Sequence, residues 1–340
     1  MDYQNKVLIG IYISSSILII AANLAIIAVI LYSPLLRKKA RNHIIVSIAL
    51  ADLLLGSFVL PMLATNLIDS SAIADCHTHI AVQIIGDYGI LFVVGWQLVT
   101  FNILHIQENS LKCNWNFFKL PTSACLKSFI LVSWSWFAAL CILVPLITTS
   151  APVRFAYNIS DDFMCMMLLP KTVLIAVCVF SLYLPYYLCV CALITIVVCY
   201  SKGCHKAPTS TLMENLNPDA AGEVTEQQTQ QQPLTSSENP LVAAISNTVY
   251  LVCYTPLVVH IWLYLSEIYT PNSVNGMIVF GTLARSIILP LSWVAFKDIQ
   301  EELKDYKRKL KVAISMCASN PLPSTASSVS FSRLQETQSV

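Results

Sequence analysis

Seven long apolar stretches constrain this chain more than any other feature of its sequence. A helix needs roughly 20 mainly apolar residues to cross the hydrocarbon core of a bilayer. The composition agrees, because 56% of the 340 residues are hydrophobic and 11% are charged, whereas soluble domains carry about 25% charged residues. We therefore predict an all-α membrane protein, a seven-transmembrane-helix bundle. Its spans cover about residues 7–32, 44–68, 79–106, 126–148, 172–200, 241–265 and 274–296.

The distribution of Lys and Arg predicts the orientation, because these residues are enriched in the short cytoplasmic loops of membrane proteins. They concentrate after the first, third and seventh spans, and the loops on the other side carry little beyond Arg154 and Lys171. We therefore expect the N-terminus outside and the C-terminus inside. The cations assigned to the cytoplasmic side are Arg37, Lys38, Lys39, Arg41, Lys112, Lys119, Lys127, Lys297, Lys304, Lys307, Arg308, Lys309 and Lys311.

The segments around the bundle, which covers 7–296, complete the expected organisation. Residues 1–6 form a short extracellular N-terminus, and the polar residues 201–240 form a flexible cytoplasmic loop. Residues 297–314 alternate apolar and basic side chains at helical spacing, which predicts an amphipathic eighth helix on the inner membrane surface. The Ser-rich tail, 315–340, is expected to be disordered.

The sequence lacks the motifs of common catalytic and nucleic-acid-binding sites. It has no Gly-rich phosphate loop, no His-Glu-x-x-His, no Cys-x-x-Cys pair and no basic patch interleaved with aromatic residues. His77 and His79 have a His-x-His spacing, but zinc needs three or four ligands and no further cluster is evident. We expect no enzyme activity, no metal, no cofactor and no nucleic-acid partner.

One acid, Asp52, lies near the middle of the apolar stretch Ile44–Met62. A carboxylate at bilayer depth costs about 3 kcal/mol or more unless it is paired or faces a polar cavity. Asp52 is therefore a candidate functional residue, and the partner of its charge is the main question that the sequence raises.

Single residues and short motifs recur along the spans in a recognisable order. They are Asn23 in the first span, Leu50-Ala51-Asp52 in the second, Cys76 before the third, Trp134 or Trp136 in the fourth, Cys165 before the fifth, Pro185 in the fifth, Cys253-Tyr254-Thr255-Pro256 in the sixth and Leu289-Pro290-Leu291-Ser292-Trp293 in the seventh. This set resembles the rhodopsin-like G protein-coupled receptors over about residues 7–312.

Three departures affect positions that couple agonist binding to signalling in that family. No Arg lies in the third span, so the Asp-Arg-Tyr motif is absent. Tyr254 replaces the Trp of the sixth span, and in the seventh Leu289 replaces Asn and Trp293 replaces Tyr. These changes leave the expected fold intact and put ordinary G-protein activation in doubt.

The resemblance implies a plasma-membrane receptor for an unknown extracellular ligand, with a heterotrimeric G protein, arrestin or both as partners besides the lipid bilayer. A second hypothesis is a non-signalling seven-helix adaptor or trafficking partner that keeps only the scaffold. Retinal attachment is not expected, since the seventh span has no Lys before Lys297.

The resemblance also suggests a partner for Asp52. In the family the matching Asp binds a sodium ion with help from helix seven, and Arg285, five residues before Pro290, falls on the part of that helix that lines the sodium pocket. A guanidinium is always charged and needs a partner or water at bilayer depth. We predict that Arg285 ion-pairs with Asp52 and takes the place of the sodium ion. The alternative is that Arg285 reaches water or backbone carbonyls.

Asp87 is the candidate counter-ion for a cationic small-molecule ligand. Amine receptors of the family place their ligand-binding Asp seven residues after the Cys that matches Cys76, where this chain has Gln83. Residues four apart share a helix face, so Asp87 would lie one turn deeper. Alternatively it competes for Arg285 or packs protonated. The sixth helix would line the same pocket with Tyr254, Leu257, Val258, His260 and Ile261, although simple packing or solvent exposure also fits these residues.

Several residues outside the spans are candidates for covalent modification. The resemblance implies a disulfide between Cys76 and Cys165. Asn158 begins an Asn-Ile-Ser sequon in a loop assigned to the outside, which predicts glycosylation. Cys317, after the amphipathic helix, is a candidate for palmitoylation.

The tail carries Ser324, Ser327 and Ser330 at intervals of three residues. Phosphorylation there would create a dense negative strip of the kind that arrestins recognise in the family. The alternative is a plain Ser-rich linker.

Overall fold

The computed structural model describes residues 3–68, 76–109, 124–149, 151–156, 163–168, 170–201, 240–268 and 272–319. Seven helices within these ranges are long and apolar enough to cross a membrane. The prediction of a multi-pass helical membrane protein is therefore confirmed.

We number these seven helices α1–α7 and the helix that follows them α8. Three of them contain a π-helical turn, Leu55–Val59 in α2, Ile85–Ile90 in α3 and Val179–Tyr183 in α5. A single helical turn, Pro34–Arg37, lies between α1 and α2. The helices are α1 (Tyr3–Tyr32), α2 (Ala40–Leu54 and Leu60–Ile68 around its π turn), α3 (Cys76–Ile84 and Leu91–Asn109), α4 (Ala124–Thr149), α5 (Lys171–Cys178 and Leu184–Ser201), α6 (Pro240–Leu265), α7 (Asn272–Trp293) and α8 (Lys297–Ser319).

Side chains of neighbouring helices bond to backbone carbonyls within two of the π turns. Ser16 on α1 donates to the Gly56 carbonyl of α2 at 2.5 Å, and Trp96 on α3 donates from Nε1 to the Phe180 carbonyl of α5 at 3.0 Å. Without water in the hydrocarbon region, backbone polar groups have to be satisfied within the protein. These bonds therefore stabilise the π turns and also join helices.

Helix α3 is the central helix of the bundle, because it packs against α2, α4, α5 and α6, while α1 packs against α2 and α7. Hydrogen bonds from indole and amide side chains join α4 to α2 and α3. Trp136 donates to Ser47 on α2 at 2.8 Å, Trp134 donates to Thr100 on α3 at 3.3 Å, and Gln97 on α3 donates to the Ser135 hydroxyl at 2.5 Å. Both tryptophans that the sequence offered for the fourth span thus make interhelical hydrogen bonds.

A two-stranded antiparallel hairpin precedes α5 and was not anticipated from the sequence. Strand β1 is Ala151–Ala156 and β2 is Phe163–Leu168, with Arg154 opposite Cys165. Two short, largely apolar runs around a polar stretch with Asn and Asp are a hairpin signal. That pattern was available in the sequence.

Helix α8 continues to Ser319, five residues beyond the predicted end at 314. Pro321 accounts for the position of the end, since Pro disfavours helical backbone at the preceding residue. The chain divides into one compact unit that ends at Gln300 and another that begins at Glu301. Within the second unit, Lys309 and Asp305 form an ion pair at 2.8 Å one helical turn apart.

Candidate functional site

Helices α2 and α7 carry the two halves of a buried ion pair. The two terminal nitrogens of Arg285 donate to the two carboxylate oxygens of Asp52, at 3.1 and 2.6 Å. Neither side chain has solvent-accessible surface. This is the bidentate geometry in which a guanidinium matches a carboxylate. The structure thus brings together the two charges that the sequence placed at bilayer depth.

Ser286 is a third member of the site that the sequence did not reveal. Its hydroxyl lies 3.0 Å from a carboxylate oxygen of Asp52 and accepts from Arg285 at 2.7 Å. The backbone carbonyl of Ser286 in turn accepts from the Asn23 amide at 3.1 Å. The ion pair is therefore connected to α1 as well as to α2 and α7.

Two tyrosines of α6 cover the ion pair. The Arg285 guanidinium lies 5.7 Å from the centre of the Tyr254 ring, a cation–π distance. The Tyr254 and Tyr250 rings lie 4.8 Å apart, and both residues are buried. Tyr254, predicted as a wall of the ligand pocket, thus contacts the ion pair and retains only 2% of its surface.

The position of Asp87 follows from the residues on either side of it. Ile84 packs in an apolar cluster with α4 and α5, and Gly86 approaches Val59 of α2 so closely that a Cβ there would lie 2.8 Å from it. Gln83 and Asp87, one turn apart on a third face, are both exposed. Asp87 is therefore an exposed residue of α3, on a face other than those that pack against α2, α4 and α5.

The neighbours of Asp87 are polar but uncharged. Gln83 and Tyr12 of α1 lie close enough to Asp87 to interact with its carboxylate. Asp87 lies in the π turn of α3, a type of irregularity that is frequent at functional sites. Across the described ranges, Asp87 has no ion pair, and Arg285 pairs with Asp52 instead. The alternative in which Asp87 competes for Arg285 is therefore not the arrangement observed.

The remaining predicted pocket residues lie in the C-terminal half of α6. Leu257, Val258, His260 and Ile261 are half-buried. The Val258 carbonyl accepts a hydrogen bond from the Tyr183 hydroxyl of α5 at 3.1 Å, which joins the two helices. Nδ1 of His260 is buried and has no partner within the described part of the chain.

A second charged cluster, between the start of α2 and the start of α8, was not predicted from the sequence. Asp298 lies 2.7 Å from Arg41 and 3.0 Å from Lys39. Arg41 is buried, and its guanidinium lies 4.1 Å above the Phe296 ring. Partial burial opposes ionisation of Asp298, but Arg41 and Lys39 outweigh it and hold the pKa of this carboxyl below its usual value. In the sequence, the indication of this cluster was that Asp298 and the cations Lys39 and Arg41 lie near the ends of two distant spans.

The predicted modification sites lie largely outside the described residues. Cys76 begins α3, Cys165 lies in β2 and Cys317 lies in α8, but their side chains are not among those described. Asn158, Ser324, Ser327 and Ser330 lie entirely outside the described ranges.

No protein-family model and no curated protein sequence matches the chain. The function is therefore inferred from the geometry of Asp52, Arg285 and Asp87.

Proposed function

We propose that this chain is a rhodopsin-like receptor of the plasma membrane, with its N-terminus outside, that binds a cationic extracellular ligand and signals to a G protein, arrestin or both. The observation that carries the proposal is Asp87, an exposed acid on the central helix with no cation paired to it in the described part of the chain. In the proposed receptor its carboxylate faces the interior of the bundle. A carboxylate at this depth is stabilised by a cation that enters from the aqueous side.

The surroundings of Asp87 suggest how such a ligand would be held. Its positive group would pair with the carboxylate, and Gln83 would offer hydrogen bonds one turn nearer the end of α3 that carries Cys76. The ring of Tyr12 could add a cation–π contact from α1. Binding would favour one arrangement of the helices over another, and a ligand shifts such an equilibrium only by its differential affinity for the two arrangements.

The ion pair suggests which helices would stay fixed in the bundle and which would move when a ligand binds. Asp52, Arg285 and Ser286 connect α2 to α7, and Asn23 adds α1. These contacts would make α1, α2 and α7 the fixed part. The ligand-dependent changes would then fall on α3, α5 and α6.

The test uses cells that express the full chain and a panel of small protonated amines, with second-messenger output and arrestin recruitment as readouts. For an amine that activates, Asp87→Asn should weaken binding about 30-fold or more, because truncating one partner of a desolvated charge pair costs about 2 kcal/mol or more. Asp305→Asn, which changes an acid in the separate unit of the chain, is the matched control. An activating ligand whose affinity is unchanged by Asp87→Asn would contradict the counter-ion role.

A non-signalling adaptor is the second candidate, and the same ion pair is the observation that favours it. Arg285 already neutralises Asp52, so that part of the core needs no exchangeable ion to be stable. No output and no arrestin recruitment in the transfected cells, with or without tissue extracts, would favour the adaptor over the receptor.

A further inference from the structure

Tyr187 is an exposed tyrosine near the middle of a membrane-spanning helix. It belongs to the span Lys171–Cys199 of α5 and lies about 24 Å from one end and about 18 Å from the other. Of its surface, 56% is exposed. Membrane proteins usually place exposed Tyr at the membrane–water interface. Three other exposed tyrosines fit that rule, since Tyr32 ends α1, Tyr264 lies in the last turn of α6 and Tyr306 lies in α8.

The hydroxyl of Tyr187 has no hydrogen-bond partner within the described residues. Two tyrosines of the same helix contact its ring, Tyr183 in a stacked arrangement at 6.5 Å between centroids and Tyr186 nearly at right angles at 6.0 Å. The hydroxyls of these two neighbours bond to α6, Tyr183 to the Val258 carbonyl and Tyr186 to the Thr255 hydroxyl. The ring of Tyr187 is therefore held by its neighbours, and its hydroxyl stays unpaired.

An unpaired hydroxyl is costly in hydrocarbon, where no water replaces the missing partner. Two exposed threonines of the spans avoid this cost, because Thr195 and Thr248 donate to carbonyls one turn earlier in their own helices. The aromatic ring of Tyr187 holds its hydroxyl away from its own backbone, and lipid acyl chains carry no polar group at this depth. Tyr187 therefore needs a polar partner from another molecule that spans the membrane.

Tyr187 belongs to a row of exposed residues that has the spacing of a helix–helix interface. The row alternates steps of three and four residues, the a and d pattern of coiled coils, and membrane helices mostly pack with the same crossing angle. Around a twofold axis between parallel helices, each of these positions faces its own copy. A hydroxyl both donates and accepts, so two Tyr187 hydroxyls can bond to each other. The row consists of Leu184, Tyr187, Cys191, Ile194 and Val198.

We infer that this row, the α5 seam, binds the same row of a second copy of the chain, with the two Tyr187 hydroxyls paired near the bilayer centre. Two copies in one cell membrane have the same orientation, so the twofold axis runs along the membrane normal and equal depths meet. The thiols of Cys191, one turn after Tyr187, then face each other across the axis. The dimer does not depend on whether the chain signals.

Energy transfer between donor-labelled and acceptor-labelled copies of the full-length chain in phosphatidylcholine vesicles measures the association. Tyr187→Phe should weaken it about threefold, the average effect of one hydrogen bond between membrane helices. The same variant should leave thermal unfolding of the dilute chain unchanged, since the hydroxyl has no partner within it. Tyr186→Phe is the matched control, because the Tyr186 hydroxyl is already bonded to Thr255, and it should leave the association unchanged.

Oxidation of cell membranes by copper phenanthroline locates the contact, and Cys141, an exposed thiol of α4, supplies its control. A disulfide between two α5 peptides should form in the unaltered chain, disappear in Cys191→Ser and persist in Cys141→Ser.

The α5 seam would be overturned by any of three results. The first is no energy transfer at any protein-to-lipid ratio, which would mean that lipid or a different protein covers the row. The second is equal association of the Tyr187→Phe variant and the unaltered chain. The third is cross-linking that Cys191→Ser leaves intact.

Discussion

Arg285 on α7 holds both carboxylate oxygens of Asp52 on α2, and neither side chain is accessible to solvent. Two charges in the core thereby neutralise each other, and Ser286 contacts both. Desolvation of the two ions offsets most of their electrostatic attraction. The stability of such a buried pair therefore depends more on its hydrogen-bond geometry than on its charge.

Removal of one partner should therefore be far worse than removal of both. We expect Asp52→Leu or Arg285→Met to destabilise the chain by about 3–5 kcal/mol, since each leaves an unpaired buried charge. The double variant should recover most of that loss. Thermal unfolding of the purified protein measures all three.

The exposed pair between Lys171 and Glu267, at 3.1 Å, is the control for this series. Glu267→Gln should change stability by about 1 kcal/mol or less, as is typical of surface ion pairs. If the double variant of Asp52 and Arg285 lost as much stability as its two single variants combined, the pairing of Asp52 with Arg285 would be contradicted.

Stability should not respond to sodium. Arg285 places a tethered cation against Asp52, so sodium would add a second positive charge to an already neutral site. Titration with sodium chloride against choline chloride at constant ionic strength, monitored by thermal unfolding, should give coincident curves. A strong sodium dependence that Asp52→Asn abolishes would exclude this arrangement.

Helices α6 and α7 should tolerate no side chain at Gly281. A Cβ there would collide with the Cys253 carbonyl oxygen, which is backbone and cannot rotate away. Gly281→Ala should therefore separate the helices and cost about 1–3 kcal/mol in the free energy of unfolding. Gly276→Ala on the same helix is the control, because nothing lies within 4 Å of the Cβ position. Equal stability of the two variants would contradict the close approach.

Asp298 should make stability depend on pH in the acidic range. Its pKa is lower in the folded chain than its usual value of 3.8, so its contribution is complete above that value and is lost as the pH falls through the folded pKa. At pH 7 Asp298→Asn should cost about 1–3 kcal/mol, because the buried Arg41 loses its partner.

Below pH 3.8 the difference between Asp298→Asn and the unaltered chain should shrink, because the unfolded chain then binds a proton at this carboxyl, and it should vanish once the pH falls below the lowered pKa of the folded chain. Asp305→Asn, which removes an exposed acid, should show little effect at either pH. A difference that stays constant with pH would mean that Asp298 acts through packing rather than charge.

Particular residues show how far the sequence could predict this molecule. The span boundaries were predictable because bilayer thickness sets helix length. The partner proposed for Asp52 followed from the resemblance to the receptors' sodium pocket together with the cost of two charges at depth. The role of Ser286 and the hydrogen bonds between Asn102 and Asn247 were not predictable. Ser and Asn within a helix usually bond to their own backbone or to water, and nothing in the sequence distinguishes those that bond to a neighbouring helix.

By itself the sequence determined which stretches cross the membrane and that Asp52 and Arg285 needed compensation, because transfer of apolar and charged groups into lipid depends on composition alone. The tertiary structure decided where each side chain points. π turns interrupt the simple helical periodicity of α2, α3 and α5, and Asp87 lies in one of them on an exposed face of α3. Contacts such as Asn102 with Asn247 form only after the helices have packed, since they join residues 145 positions apart.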